Sequence, residues 1–245
     1  MRREICILSA VLVLGLGFST FAQQGAQNAP AASLIFREDF KGEPAGQVQL
    51  TQTALANPNL ELKVYGPGSK PGVGRDSGLL LGQEEDPPNP GKMMSVIYTG
   101  VVQGSWAVMF RDKNNYLDLR DTGRIRWRVR QRSLHEIRPL IKLSDGTLLI
   151  GDYEEPLSSY MRESEFYLVD VVRWRPLNPA TMYEDRNKPG EPLWKTGVDL
   201  SKVDEIGFTT LMAGAGHGTS GNIAVDWIEV YGKPVKRTVS QSQAR

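Results

Sequence analysis

The chain has 245 residues, 40% of them hydrophobic, with 29 lysines and arginines against 28 aspartates and glutamates and a formal net charge of +1. Near-neutral charge makes nucleic-acid binding through bulk positive charge a poor explanation, and the ordinary apolar content excludes a disordered chain and a multi-span membrane protein. The length suits a single all-β domain.

The N-terminus has the layout of a secretory signal peptide over residues 1–22. A short basic start precedes an apolar run from Ile5 to Phe21, and the small residues Thr20 and Ala22 stand at positions −3 and −1 of a cut after Ala22. An uncleaved membrane anchor is the alternative, because the run approaches a spanning length. We expect a secreted or periplasmic protein with no stable membrane insertion after cleavage, and Cys6, the single cysteine, leaves with the signal.

Composition divides the rest of the chain into three parts. Residues 23–33 are low in large apolar side chains and predict a flexible linker. Residues 34–232 predict one β-sandwich domain. Residues 233–245 predict a disordered tail whose basic side chains are solvated.

Between linker and tail the sequence predicts strands. Short runs show period-two alternation or β-branched and aromatic enrichment, and Gly, Pro, Asn and Asp separate them. Helix is predicted only as a single turn near residues 200–203. The predicted strands are Leu34–Phe40, Leu60–Tyr65, Gly78–Leu81, Met93–Tyr98, Trp106–Phe110, Tyr116–Leu119, Gly123–Gln131, Arg138–Leu143, Thr147–Ile150, Phe166–Trp174, Glu205–Met212 and Ile223–Tyr231. About a dozen strands in one stretch indicate two antiparallel sheets packed as an all-β sandwich, a jelly roll.

The clearest strand is Gly123–Gln131, where two sets of side chains alternate. The set predicted to face the core is Ile125, Trp127 and Val129, and the opposite set is Arg124, Arg126, Arg128 and Arg130. Four arginines on one face repel each other unless carboxylates or a ligand offset them. One interpretation is a solvated face with cross-strand ion pairs. The other is a row of guanidinium groups that bind sugar hydroxyls or uronate carboxylates.

The last strand follows a glycine-rich loop at residues 213–221, and its side chains are predicted to alternate between two faces in a similar way. Strict alternation places Ile223, Val225, Trp227 and Glu229 on one side and Ala224, Asp226, Ile228 and Val230 on the other. The loop joins two strands and lacks a Gly-Lys-Ser/Thr ending, so it predicts a flexible hairpin connection rather than a phosphate site.

The segments LIFREDFKG, VDLSKVDEIGF and VDWIEVYG together resemble the galactose-binding-like jelly-roll domain, similar to carbohydrate-binding modules of secreted bacterial proteins. The resemblance covers residues 34–42 and 198–231. It implies sugar contacts on a concave sheet face or on end loops, and a structural calcium near the first and last strands. The matching carboxylates are Glu38, Asp39 and Asp226, for which ordinary strand-end acids are the alternative interpretation.

A glycan-degrading enzyme, either a polysaccharide lyase or a glycoside hydrolase, is one alternative function. Hydrolysis needs two carboxyl groups roughly 5–10 Å apart. The acids of GDYEEP and MRESEF are predicted to lie in loops or at strand margins, where carboxylates are solvated. Asp226 and Glu229 are predicted to face opposite sides of the sheet. A lyase needs arginine to neutralise a uronate and His or Tyr to move a proton. The local candidates are His135, Glu136 and Arg138.

The favoured interpretation is non-catalytic recognition of an oligo- or polysaccharide. Aromatic rings near strand ends can stack on sugars, although local packing is the alternative for each, whereas Trp106, Trp127 and Trp227 are predicted to lie in the core. The predicted ligand-binding residues are Arg126, Arg128, Arg130, His135, Arg138, Tyr153, Trp174 and Trp194. No catalytic residue is assigned, and calcium is the one cofactor considered. A structural or adhesive envelope protein is the third alternative.

Overall fold

The computed structural model describes residues 32–41, 47–69, 77–86, 89–100, 102, 104–131, 136–183, 193–210 and 223–237. The predicted signal peptide, His135 and the glycine-rich loop lie outside the described residues. In the described part no helix is long and apolar enough to cross a membrane.

The described residues form fourteen strands and three short 3-10 turns, with no α-helix among them. The strands are β1 Ser33–Glu38, β2 Val48–Gln49, β3 Leu60–Tyr65, β4 Leu79–Glu85, β5 Met93–Thr99, β6 Ala107–Asp112, β7 Asn115–Asp118, β8 Arg124–Gln131, β9 Arg138–Leu143, β10 Leu148–Gly151, β11 Ser158–Tyr167, β12 Trp174–Leu177, β13 Val203–Thr209 and β14 Ile223–Lys236.

The strands pair antiparallel in two sheets. Sheet 1 has the order β2-β4-β5-β14-β8-β11, and β1 pairs with β14 beyond the residues that pair with β5. Sheet 2 has the order β12-β10-β9-β13-β6-β3, with β7 also pairing with β13. The end of β14 pairs with β7, so β14 runs from sheet 1 into sheet 2.

The core lies between the two sheets and draws side chains from both. Phe36 of sheet 1 meets Phe110 of sheet 2 edge to face, with ring centroids 6.4 Å apart. Phe110 in turn lies 6.3 Å from Phe208, and all three rings belong to one cluster of buried apolar residues. Each fully buried side chain of this size contributes about 1.5–3 kcal/mol to folding. The predicted all-β jelly-roll sandwich is confirmed.

Strand β8 confirms the predicted alternation. Ile125, Trp127 and Val129 are almost fully buried in the core cluster. The arginines between them lie on the outer face of sheet 1, where the side chains of β11 and β14 flank them.

Other boundaries differ from the prediction. The strand predicted over Phe166–Trp174 is wrong, because β11 ends at Tyr167, a 3-10 turn follows, and Trp174 begins β12. Most of β11 was expected to be loop, since the largely exposed side chains of this strand show no apolar alternation. The predicted tail starts too early, because pairing with β7 extends β14 to Lys236. Strand β1 likewise takes in Ser33, the last residue of the predicted linker.

Candidate functional site

A β-bulge at Asp226 decides which side chains of β14 reach the outer face of sheet 1. Val225 pairs with Val129, but Trp227 pairs with Arg128, so Asp226 is an extra residue opposite β8. The side-chain alternation therefore shifts by one residue, and Ile228 and Val230 enter the core.

The bulge corrects two expectations for this strand. Trp227, predicted to lie in the core, is instead on the outer face with Glu229 and Tyr231, outside the core cluster. Asp226 and Glu229, predicted on opposite sides, both bond arginines of the outer face.

The four arginines of β8 each lie against a carboxylate from a neighbouring strand or turn. The pairs are Arg124 Nε with Glu165 Oε1 at 3.4 Å, Arg126 Nη2 with Glu163 Oε2 at 2.6 Å, Arg128 Nη2 with Asp86 Oδ1 at 2.6 Å, Arg128 Nη1 with Asp226 Oδ2 at 2.7 Å, and Arg130 Nη1 with Glu84 Oε2 at 2.5 Å. This is the cross-strand ion-pair arrangement, and it explains how one strand carries four arginines on one face.

Arg128 is the central member of this row, because its guanidinium donates to two carboxylates at once. The two acids respond in opposite directions. The hydrogen bond from Arg128 lowers the pKa of Asp86 below its ordinary value. Burial raises the pKa of Asp226, and this effect outweighs the attraction of Arg128.

Trp227 lies beside this pair and is covered by guanidinium groups. The Cζ atom of Arg37 stands 4.4 Å from a ring centroid of Trp227, and that of Arg126 stands 5.2 Å away. The tryptophan is only 6% exposed although it lies on the outer face. Two cation–π contacts therefore hold an aromatic ring just below the protein surface.

A cleft of about 380 Å³ opens at this point of the outer face. Its walls come from the end of β1, the β4–β5 turn, β5, β8, β11 and β14. The residues that define it chemically are Arg37, Asp86, Met94, Arg128, Asp226 and Trp227. The combination of one aromatic ring, the thioethers of Met93 and Met94 and several fixed polar groups in a concave site suits a small molecule or a sugar.

Of the eight predicted ligand-binding residues, Arg128 lines this cleft. Arg126 and Arg130 share its face as ion-paired neighbours. Arg138 lies on β9 in sheet 2, where it pairs with Glu136 and Glu154. Burial lowers the pKa of Arg138, and nearby Arg175 adds to that effect.

The three predicted aromatic residues lie away from the cleft. Tyr153 stacks on Phe166 with ring centroids 3.9 Å apart, and Trp174 is 2% exposed in the core cluster, so both rings serve packing in this structure. Trp194 is half-buried beside the guanidinium groups of Arg173 and Arg175. The sequence analysis thus assigned to one binding site several residues that the fold places apart.

Glu155, predicted to be a solvated loop acid, is 1% exposed. Its carboxylate accepts hydrogen bonds from Trp127 Nε1 at 2.9 Å, Tyr153 Oη at 2.9 Å and Ser164 Oγ at 2.6 Å. Burial, reinforced by the Glu155 charge, raises the pKa of Tyr153. The acid is therefore part of the packing around Trp127.

The three carboxylates matched to a calcium site have other partners. Glu38 accepts backbone N–H groups of Phe40, Ala56 and Asn57 at 2.7, 2.9 and 2.9 Å. Asp39 pairs with Lys41, and Asp226 pairs with Arg128 as described above. Among the described residues no group of three or more His, Cys, Asp and Glu is placed to hold a metal ion. The described residues thus do not fit the calcium implied by the resemblance, which stays a prediction.

Arg37, Asp86 and Met94 were missed by the sequence analysis. The alternation in IFRE would have placed Arg37 outward, between inward-facing Phe36 and Glu38. Asp86 and Met94 carry no such local pattern, because the β4–β5 pairing brings them to the cleft.

The solved structures that match this chain include two family 11 carbohydrate-binding modules. One belongs to the cellulosomal cellulase Lic26A-Cel5E of Clostridium thermocellum (15% identity, 84% of this chain and 97% of the module, TM-score 0.37). The other, from the same organism, is in complex with a β-1,3-1,4-mixed-linked tetrasaccharide (16% identity, 80% of this chain and 100% of the module, TM-score 0.37).

An exo-β-agarase also matches, at 8% identity over 83% of this chain and 25% of the enzyme, with a TM-score of 0.44. No protein-family model matches the chain, and no curated protein matches it. At these TM-scores the likenesses carry no weight for function, and the fold class follows from the strands and core of this chain.

Proposed function

We propose that this protein is exported and binds a glycan, without catalysis, in the cleft around Trp227 and Arg128. The observation that carries the proposal is the position of Trp227, which the bulge at Asp226 turns out of the core and into the cleft wall. A tryptophan ring is a stacking surface for the apolar face of a pyranose, and the adjacent carboxylates and guanidinium groups are partners for its hydroxyls.

The charges of the cleft favour an uncharged glycan. The cleft is lined by four basic and four acidic side chains. They are Arg37, Lys41, Lys92 and Arg128, and Asp39, Asp86, Glu163 and Asp226. Arg128 is already held between two carboxylates. A uronate or sulfate group would meet these acids as well as the cations, so the earlier uronate interpretation loses its basis on this face.

The same geometry argues against acid–base catalysis in the cleft. A general acid must hold a proton near neutral pH. Asp86 has a lowered pKa and therefore holds no proton near neutral pH. The pKa of Asp226 is raised by burial, but its carboxylate, like that of Asp86, accepts a hydrogen bond from Arg128. We therefore assign these acids to ligand orientation rather than to bond cleavage.

Binding is tested by affinity electrophoresis and calorimetry with a panel of neutral and acidic polysaccharides. We expect a neutral glycan to retard the wild-type protein, and Trp227→Ala to weaken binding by about fivefold, since stacking on an aromatic ring is worth about 1 kcal/mol. Trp194→Ala is the matched control, because it removes a half-buried tryptophan outside the cleft. Retention on no glycan, or equal losses in both variants, would refute the proposed site.

The non-catalytic assignment and export have separate tests. New reducing ends, or absorbance from an unsaturated uronate, on incubation with the bound glycan would show an enzyme instead. For export, we expect the protein recovered outside the cytoplasm to begin at Gln23, as N-terminal sequencing would show.

A further inference from the structure

Trp227 and Arg37 differ in their exposure to solvent, and this difference limits the access of a ligand to the tryptophan ring. The residue Trp227 is 6% exposed, whereas the side chain of Arg37, which lies over its ring, is 39% exposed. The ring is therefore hidden by a group that itself projects into water. A sugar cannot stack on the covered side of the ring while the guanidinium stays in place.

The two guanidinium groups over Trp227 are not held equally. Among the described residues Arg37 forms an ion pair with one carboxylate, that of Glu229 at 2.5 Å, whereas Arg126 forms ion pairs with Glu163 and Glu229. Arg37 also lines the cleft. Arg37 is thus the more easily displaced of the two.

Displacement of Arg37 leaves its partner satisfied. Glu229 also accepts a hydrogen bond from Tyr231 Oη at 2.8 Å and lies 3.7 Å from Arg126 Nη1. No buried charge is left unpaired when Arg37 moves. What is lost is one cation–π contact and one ion pair, in which the side chain of Arg37 is 39% exposed and that of Glu229 is 9% exposed.

We propose that Arg37 is a movable cover over Trp227, displaced when a sugar ring stacks there, and that it sets the affinity and selectivity of the cleft. The inference rests on the proposed function. Only a ligand whose apolar face replaces the cation–π contact with a better one gains access to the ring. Arg37 therefore selects for pyranose faces that expose several axial C–H groups and against small polyols.

The first test measures the cover without any ligand. Acrylamide quenching of tryptophan fluorescence is compared in the wild-type protein and Arg37→Ala, and each is repeated with Trp227→Phe so that the difference isolates Trp227. We expect Arg37→Ala to raise the quenching of Trp227. Arg173→Ala is the control, because it removes a guanidinium over Trp194 and leaves the cleft intact. Unchanged quenching of Trp227 in Arg37→Ala would overturn the proposal.

The second test measures binding of the glycan that the panel identifies. We expect Arg37→Ala to bind about two- to tenfold more tightly than the wild type, because the ligand no longer has to displace the Arg37 side chain. We also expect the glycan to protect Trp227 from acrylamide in the variant. Weaker binding by Arg37→Ala would overturn the cover and identify Arg37 as a direct ligand contact. If no variant and no wild-type protein binds any glycan, the proposed function fails, and the quenching result alone decides whether Arg37 covers Trp227.

Discussion

Trp227 lies directly across from Arg128, although the alternation of its strand places the tryptophan toward the core. One extra residue, Asp226, produces this pairing and also supplies the carboxylate that accepts from Arg128 Nη1 at 2.7 Å. The bulge thus builds the aromatic wall and one of the polar partners of the cleft in a single step. Bulges are found where a strand must redirect a side chain, and this one does so at the proposed binding site.

Removal of Arg128 is expected to destabilise the protein strongly. Arg128→Ala would leave the buried carboxylates of Asp86 and Asp226 facing each other without their cation, at a cost of about 3–5 kcal/mol in the free energy of unfolding. Urea denaturation measures the change. Arg173→Ala removes an exposed arginine paired with Asp152, and a loss of about 0–1 kcal/mol is expected there. Equal losses in the two variants would contradict the central role of Arg128.

Asp86 is expected to stabilise the protein in a pH-dependent manner. Its pKa is lowered in the folded state, so the ionised form contributes stability that is present above the unfolded pKa of about 3.9 and is lost as the pH falls through the folded value. Asp86→Asn should therefore be destabilising at pH 7, and the difference in stability from the wild type should narrow as the pH falls below about 4. Urea midpoints across pH 3–7 give the profile. A difference in stability that widens at acidic pH would mean that folding raises the pKa of Asp86 instead of lowering it.

Asp226 is expected to behave in the opposite way. Its pKa is raised by burial, so the stability it contributes is present below the unfolded pKa and is lost as the pH rises through the folded value. At pH 7 we therefore expect Asp226→Asn to cost less stability than Asp86→Asn, although both acids accept from Arg128. The same urea titrations compare the two variants, and a larger loss at Asp226 would mean that its ion pair outweighs its burial.

Glu38 is expected to act as a structural acceptor for the backbone. Glu38→Ala removes the partner of three N–H groups after β1 and around residue 56, and a loss of about 2–4 kcal/mol is expected. The neighbouring Asp39, whose partner is the exposed Lys41, provides the control, and Asp39→Ala should change stability by less than about 1 kcal/mol. Thermal unfolding gives the comparison. A calcium-dependent rise in Tm that disappears in Glu38→Ala would instead favour the predicted metal site.

Glu155 and its neighbour Glu154 provide a similar contrast. Glu155→Ala would leave the Trp127 indole N–H, the Tyr153 hydroxyl and the Ser164 hydroxyl without their acceptor, at a cost of at least about 3 kcal/mol. Glu154 is exposed and pairs with Arg138, which keeps Glu136 as a second partner, so alanine there should cost only about 0–1 kcal/mol. A matched pair of chemical denaturation curves decides the point. Small effects in both variants would mean that water replaces the carboxylate around Trp127.

Part of the outer face could be predicted from local sequence alone. The alternation of Ile125, Trp127 and Val129 with arginines requires one face of β8 to be apolar and the other charged, because side chains on a strand alternate with a period of two. The same argument correctly predicted the all-β sandwich, since about a dozen such runs separated by turn residues indicate two packed antiparallel sheets.

The partners of the arginines could not be predicted in that way. Arg128 bonds Asp86 and Asp226, which are 42 and 98 residues away along the chain, and Arg130 bonds Glu84. Which acid meets which arginine depends on strand order and register, and these follow from the packing of the whole sandwich. Glu155 is a related case, because its burial depends on a loop folding back over Trp127.

The sequence by itself determined the class of fold and the charged character of one sheet face, because both follow from the period-two alternation within single strands. Only the tertiary structure decided where a binding site lies on that face. The bulge at Asp226 inserts one residue into the pairing of β14 with β8, and no local sequence pattern predicts such an insertion. Trp227 is turned outward by that one residue, and with it the cleft acquires its aromatic wall.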